Sequence, residues 1–599
     1  MAASDNITTG GIATYTVKVG GSAIPDESRI YSITIERSTN RIPEAKIVVL
    51  DGDASTETFE ASSSETFVPG AEVVIEAGYD TKNEQIFKGI ITRQSLRVDP
   101  MIGSALEIEC RDAAIKMVVG RKSLTYSKQK DSDIMSTIIG NYSDLSADVT
   151  ATTTEWPEQV QYYATDWDFI LTRSEANGLI VNVLDGKVSV EAPDANSSSV
   201  LTIKYGDNLH EFRGDLNSVS QLGSVKAQAW DYKTQAIISG EASNDVAGAG
   251  NLSSKTLSEV VGLSEFDLQT SAYQTSDDLT NWSKAQMIKS EYSKIIGTAV
   301  TQGTNLVNPG TYVTLQGLGD RFNGDHYVSG VRHDFSEGNW LTETTVGMSS
   351  IWFSEEPDVM APPAAGLLPG ARGLFNGTVK QMYEDPDSQY RILVDVPLFD
   401  QNGEGIWARL ANFYSTSGAG AFFLPEVGDE VVLGFLSEDP RYPVILGSLY
   451  SSDNIKPFDG LDPNEQNSIK AIVSKSGIQV KFDDENKVFT IETPSKNTMI
   501  LSDEDKQITI QDQNNNSIVM SESGITIKSE KDINIEADQK VSIKGTQGVT
   551  VEASGGDVEI SGMNIKETAD MQYSAEGSET AQVNAGMELT LKGAMVMIN

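Results

Sequence analysis

Hydrophobic and polar positions alternate along most of the first 110 or so residues. The stretches "ATYTVKV", "YSITIE", "KIVVL", "EVVIEAGY", "QIFKGIIT" and "LEIECRD" carry apolar side chains at every second position and are separated by Gly, Pro and Asp. That period turns successive side chains to opposite faces, so residues 12–111 are predicted to form a small β domain. The period then changes. "KDSDIMSTIIGNY" offers a cap at Asp131 or Ser132, followed by Ile134, Met135, Ile138 and Ile139 at helical spacing. "ATDWDFILTRSEANGLI" predicts a second helix, capped near Thr165 or Asp166, with Trp167, Ile170 and Leu171 on its apolar face and Gly178 as its stop. Strands resume in "LIVNVLDGKVSVEA", a hairpin with Asp185-Gly186 at the turn. A third helix is predicted over 278–300, and strands continue to "LTETTVGM". Residues 355–372, rich in Pro, Ala and Gly, read as a linker. Five or six short strands over 373–450 suffice for one small barrel, and a polar linker over 451–469 follows it.

From residue 470 the pattern is different again. Apolar residues come in pairs with one polar residue between them: Ile525/Ile527, Ile533/Ile535, Val541/Ile543 and Val549/Val551, each pair eight residues after the last. Val558/Ile560 is slipped by one residue at Gly555-Gly556. The lattice resumes as Met571/Tyr573, a poor pair at Glu579/Ala581, Met587/Leu589 and Met595/Met597. Upstream pairs (Ile478/Val480, Phe489/Ile491, Ile508/Ile510, Ile518/Met520) are more loosely spaced. Two inward residues flanking one outward residue make a very short strand that buries almost nothing, so such repeats must stack. One chain with two inward side chains per turn encloses a thin core, whereas three chains wound about one axis fill it together and hide each other's edges. At strand spacing, a shaft on the order of 75 Å results. An ordinary single-chain solenoid is the alternative. A bulge or break is expected at Gly555-Gly556 and at Glu579/Ala581.

Composition narrows the function. A formal charge of −41 argues against a nucleic-acid partner and against docking on anionic membranes. Cys110 is the one cysteine, so no internal disulfide framework exists, and folding in the cytoplasm fits. The N-terminal residues have neither the basic nor the apolar region of a signal peptide. His210, His326 and His333 lie in no HExxH and near no GxSxG, and Cys110 ends an apparent strand. The pairs Asp483/Asp484 and Asp503/Asp505 lie in polar turns, and residues 525–599 hold no Trp or Phe to stack on a sugar. Calcium at "DEDKQ" or "DQNNNS" lacks the spacing of an EF-hand loop. No catalytic, cofactor or metal residue is assigned.

The segment holding "RILVDVP", "WARL", "GAGAFFLPEVGDEVVLGF" and "EDPRYPVILGSLY" resembles the OB-fold domain of VgrG-like spike proteins of contractile injection systems. The resemblance rests on Trp407, Arg409, Gly418, Gly420, Phe423, Pro425, Gly428, Asp429, Glu430, Val431, Phe435, Asp439, Pro440, Pro443, Leu446 and Gly447. "DWDFILTRSEANG" and the stretch with Pro309, Gly310, Gly324, Tyr327, Val328 and His333 resemble the phage tail hub that sits above such spikes. The octads resemble the family's needle. The resemblance implies a mainly β, multidomain fold. Its parts are hub β-barrels with a few helices over 1–354, an OB-fold collar over 373–450, and an intertwined triple-stranded β-helix over 470–599.

Further expectations follow from the family. It implies a non-enzymatic homotrimer that joins a tube of Hcp-like rings and the baseplate to a needle. The needle's end carries a conical PAAR-repeat tip protein, sometimes with cargo effectors, and sheath contraction drives the assembly through a target membrane. Phage spikes often insert a lysozyme domain between barrel and needle, and the linker here is too short for one. Metal-binding needle tips use paired histidines, which this needle lacks. Met595, Met597, Ile598 and Asn599 are expected to form the platform for the tip protein. The N-terminal region resembles extracellular, phage-tail-like particles more than type VI secretion spikes. Type VI secretion, or a tailspike that binds or degrades polysaccharide, is the alternative.

Overall fold

The computed structural model describes residues 11–25, 28–100, 103–244, 248–263, 265–272, 274–356, 359–399, 403–451, 458 and 464–598. Two compact units emerge, Met1–Leu449 and Tyr450–Asn599. The fold is mainly β.

The alternating N-terminal stretches are strands, as their period requires: Ala13–Val19, Ile30–Ser38, Glu44–Leu50, Glu72–Tyr79, Lys82–Asp99 and Gly103–Arg111. They join a 13-stranded sheet that also takes in strands from beyond residue 200. The join is made by Gly324–Ser336, which runs antiparallel to Ile30–Ser38 and sets His333 opposite Ile35 and Phe335 opposite Ile33. One sheet therefore covers two cores. The first holds Ile33, Ile35, Ile47, Ile75, Phe87, Ile108, Cys110 and Trp340. The second holds Leu201, Ile203, Ala299, Val313, Leu315, Val328 and Val346. Trp340 stacks on Phe335 at 5.0 Å between ring centroids. Its ring lies so close to Gly303 that a Cβ there would stand 2.0 Å from it, which is why a glycine is required.

Two predicted helices form a third core with the hairpin. They span Asp131–Gly140 and Asp166–Ala176, and Thr165 caps the second by accepting from the Asp168 N–H at 3.0 Å. The hairpin pairs Ile180–Leu184 with Lys187–Glu191, and Asp185 and Gly186 at its turn have φ of 53° and 86°. Asp131 is not a cap. The residue before the helix is Lys130, and the buried Asp131 carboxylate accepts from Arg173 Nε and Nη2 (2.9 and 2.8 Å), Asn177 Nδ2 (3.0 Å) and Trp156 Nε1 (3.1 Å). The sequence offered a cap, and the tertiary structure used the carboxylate as an anchor for its neighbouring helix.

The third helix is shorter than predicted. It spans Ser276–Tyr292, opened by a capping box of Thr275 and Asp278, and "IIGTAVTQ" is a strand, Ile295–Gln302, paired with Leu209–Leu216 and Asn339–Val346. Its β-branched residues suit a strand, and ladder pairing on both sides decides the matter. A helix over Ser254–Val261, capped by Ser253, was not read from the sequence. A polar tie holds the pieces together. Arg37, 4% exposed, donates to Asn308 Oδ1 (2.7 Å) and Asp185 Oδ1 (3.1 Å), and so links the first β domain to the hairpin and to the second core.

The barrel is closed, with strands Phe375–Gln381, Ile392–Asp395, Ile406–Leu410, Pro443–Leu449 and Glu430–Phe435 in that order around it. Val379, Ile392, Val394, Val396, Ala408, Val431, Leu433 and Ile445 fill it. The Pro/Ala/Gly-rich stretch ahead of it contains only short 3₁₀ turns among its described residues, such as Pro363–Gly366. Most of the polar linker over 451–469 lies outside the described residues.

Candidate assembly interface

The barrel's signature residues mostly shape its turns. Gly418 (φ 76°) and Gly420 (φ 146°) serve a two-stranded hairpin, Ser415–Thr416 with Ala419–Gly420. Gly428 (φ 96°) precedes Asp429, whose carboxylate accepts from the Glu426 N–H at 2.8 Å and fixes the turn into the strand begun by Glu430. Pro425 and Pro443 are buried. Asp439 is held below its ordinary pKa by Arg441, which donates from Nε (3.0 Å) and Nη2 (2.7 Å), and the turn they brace contains Pro440. Trp407 lies under the Arg391 guanidinium at 5.9 Å, Arg409 is exposed on the same strand, and Gly447 stands opposite Val432 where the barrel ladder shifts register. None of these residues lines a cleft with converging reactive groups. Their shared role is backbone geometry.

The candidate nucleophile and bases do not meet either. Burial pushes the Cys110 thiol up to about 12. His333 is fully buried against Thr342 Oγ1 at 3.0 Å, and burial drives its pKa down to about 3. His326 is buried on the Phe322 carbonyl at 2.7 Å, and His210 is exposed in a sheet-edge strand.

The unit after the barrel divides in two where one octad repeat from residue 470 was expected. Residues 469–528 form a seven-stranded antiparallel meander of five-residue strands, each paired with the next strand of the same chain. The physical reason is turn length. Turns such as Asp484–Lys487 and Asp512–Asn516 are long enough to reverse the chain, and that is what the loose spacing of the upstream pairs recorded. One face of the meander carries two cross-strand rows. The first runs Ile472, Val480, Ile491, Met499, Ile510, Ile518, Ile527, and the second Phe482, Phe489, Leu501, Ile508, Met520, Ile525. Every one of these side chains is half-buried or exposed, so the apolar face has no cover among the described residues.

Past Lys528 the described residues pair with no other strand of the chain, and Lys531–Ile598 are exposed throughout. The backbone bends at 530–531, 538–539, 546–547, 554–556, 563, 570–571, 578–579, 586–587 and 594. That is the eight-residue period, with a longer step at the expected Gly555-Gly556 slip and a shorter one directly after it, which restores the register. The bends also correct the reading after the slip. Upstream, each pair begins two residues past its bend, as Ile533 and Val541 do. By that rule the later pairs are Tyr573/Ala575, Ala581/Val583, Leu589/Leu591 and Val596/Ile598, not Met571/Tyr573, Glu579/Ala581, Met587/Leu589 and Met595/Met597. Exposure agrees: pair leaders Val541, Val549, Leu589 and Val596 are 49, 55, 52 and 53% exposed, whereas Met571 and Met587, on bends, are 99 and 101%. Glu579 is therefore a bend residue, and the break expected at Glu579/Ala581 is absent. Met595, Met597 and Ile598 are 78, 82 and 87% exposed, and Asn599 lies outside the described residues.

Residues 9–337, more than half of the chain, match the family model described as the Alg8 N-terminal domain. The chain belongs to that family. Residues 375–450, the closed barrel, match the model described as the type VI secretion system/phage-baseplate injector OB domain. Among curated relatives, the type VI secretion system spike protein VgrG1a of Pseudomonas aeruginosa is 22% identical over 391 residues, covering 60% of this chain and 58% of that protein. The chain thus spans little more than half the length of this relative. The tail protein from Neisseria meningitidis MC58 is 15% identical with a TM-score of 0.43, covering 58% of this chain and 99% of its own. An E. coli type VI secretion component, described as structurally similar to T4 tail proteins, is 13% identical with a TM-score of 0.37, covering 72% of this chain and 99% of its own. The chain is thus similar to VgrG spike proteins, and its barrel is of the phage-baseplate type.

Proposed function

We propose that this VgrG-like spike works as a non-enzymatic homotrimer in a contractile injection particle of the extracellular, phage-tail-like kind. The carrying observation is Lys531–Ile598: regularly spaced apolar pairs, exposed along the whole segment, with the uncovered apolar face of the meander just before them. Such exposure is stable in water only if something covers it, and two further copies offer matching rows at matching spacing. The hub then seats on an Hcp-like tube and the baseplate, the barrels form a collar, and the distal segment carries a PAAR-type tip at Met595, Met597, Ile598 and Asn599. The particle assembles in the cytoplasm of the producing bacterium and meets a membrane only on puncture. No reaction is assigned, since Cys110 and His333 serve packing.

An affinity tag on the chain, expressed in the producing bacterium, tests this reading. It should capture sheathed particles from the culture supernatant, with the chain at one end of the tube by electron microscopy. Capture of the free chain alone would overturn the reading, and capture only from the cell envelope would favour a cell-anchored type VI machine. Deleting residues 593–599 should remove the tip protein and leave the oligomer intact.

A further inference from the structure

The closed barrel carries a surface its own fold leaves uncovered. Between the strands Ile406–Leu410 and Glu430–Phe435 the chain leaves the barrel wall as a short hairpin. The stem is closed by the Ala421 N–H donating to the Tyr414 carbonyl at 2.9 Å. Gly420 is obligatory there, since a Cβ would stand 2.9 Å from the Tyr414 carbonyl oxygen. Two aromatic pairs flank the stem, Phe413-Tyr414 before it and Phe422-Phe423 after it. They are 89, 54, 69 and 64% exposed, although the barrel has an apolar core of its own. Exposed aromatic residues gathered in this way mark interaction surfaces.

Charge selects the occupant. Residues 411–425 contain no Asp, Glu, Lys or Arg, in a chain of net charge −41. Two like-charged copies repel across most of their surfaces and approach best at a neutral apolar patch. Beyond the polar linker that follows this barrel, the chain enters the segments whose apolar rows and pairs lack cover. From these observations we infer that the aromatic hairpin is a copy-to-copy clasp: Phe413, Phe422 and Phe423 of one chain pack against a second copy of the same chain. This rests on the homotrimer of the proposed function and assigns its collar contact to named side chains. Cys110 is buried and pushed to about 12, so a cysteine introduced at the surface is the thiol that a maleimide reads.

The experiment uses the full-length chain bearing Phe422→Cys, with Phe413→Cys as a second variant and Gln389→Cys, exposed elsewhere on the barrel, as the control. In the assembled protein the thiols introduced at positions 422 and 413 should react with maleimide at least ten-fold more slowly than the control. A short bismaleimide should link copies through position 422 but not through 389. Reaction as fast as the control in a protein that sediments as a trimer overturns the clasp and leaves the trimer standing. Protection that appears only when lipid vesicles are added overturns it in favour of a membrane surface. A monomer overturns both readings.

Discussion

Asp131 carries more than its place at a helix start suggests. Burial alone would raise its pKa, but Arg173, Asn177 and Trp156 together hold it below the ordinary value. Asp131→Ala strands the Arg173 guanidinium and should cost the hub about 3–5 kcal/mol, read as a lower denaturant midpoint. His333 acts with the opposite chemistry and the same direction in pH. Its folded pKa, about 3, lies below that of the unfolded chain, so the unfolded state gains a proton first as pH falls. Hub stability should therefore decline from about pH 6.5 toward 3, by about 1.4 kcal/mol per pH unit from this residue alone. The Asp131 contribution is lost only below the ordinary aspartate value. His333→Gln should flatten the upper part of the profile, and an unchanged slope between pH 6.5 and 4 would refute the assignment.

At the scale of elements, the distal segment makes the sharpest claim. If the bends set the register, Val583 faces the shared interior and Met571 does not. Val583→Asp should bury a charge in each of three chains, cost several kcal/mol per charge, and dissociate the oligomer at much lower denaturant. Met571→Asp should leave the midpoint nearly unchanged. The reverse result restores the register with Met571 inside. Periods of two, 3.6 and eight were all visible in the sequence, and so were the Thr165 cap, the Asp185-Gly186 turn and the Gly555-Gly556 slip. What stayed hidden follows from physics. "IIGTAV" is apolar at positions that serve a helix face or a strand, and only its ladder partners decide. After the slip two lattices fit the same hydrophobic residues, since Tyr573 belongs to both, and the difference lies in where the backbone bends. The hydrogen bonding of Gly324–Ser336 to Ile30–Ser38 joins residues far apart in the chain, which no local period encodes.

Taken as a whole molecule, the chain is a set of incomplete surfaces. The hub cores and the barrel core are built of apolar side chains buried within one copy. The meander face, the octad pairs and the aromatic hairpin are not, and all three are uncovered in one copy. Fold class and barrel signature were legible because they rest on local turns and alternation. The apolar pairs of the distal segment were legible only as a period, because no described residue of the chain covers them. Sedimentation equilibrium of the full-length protein at micromolar concentration tests the central claim most directly. A single species of three times the 64.7 kDa chain mass is the expected result. A stable species at the mass of one chain, soluble and folded, would contradict it.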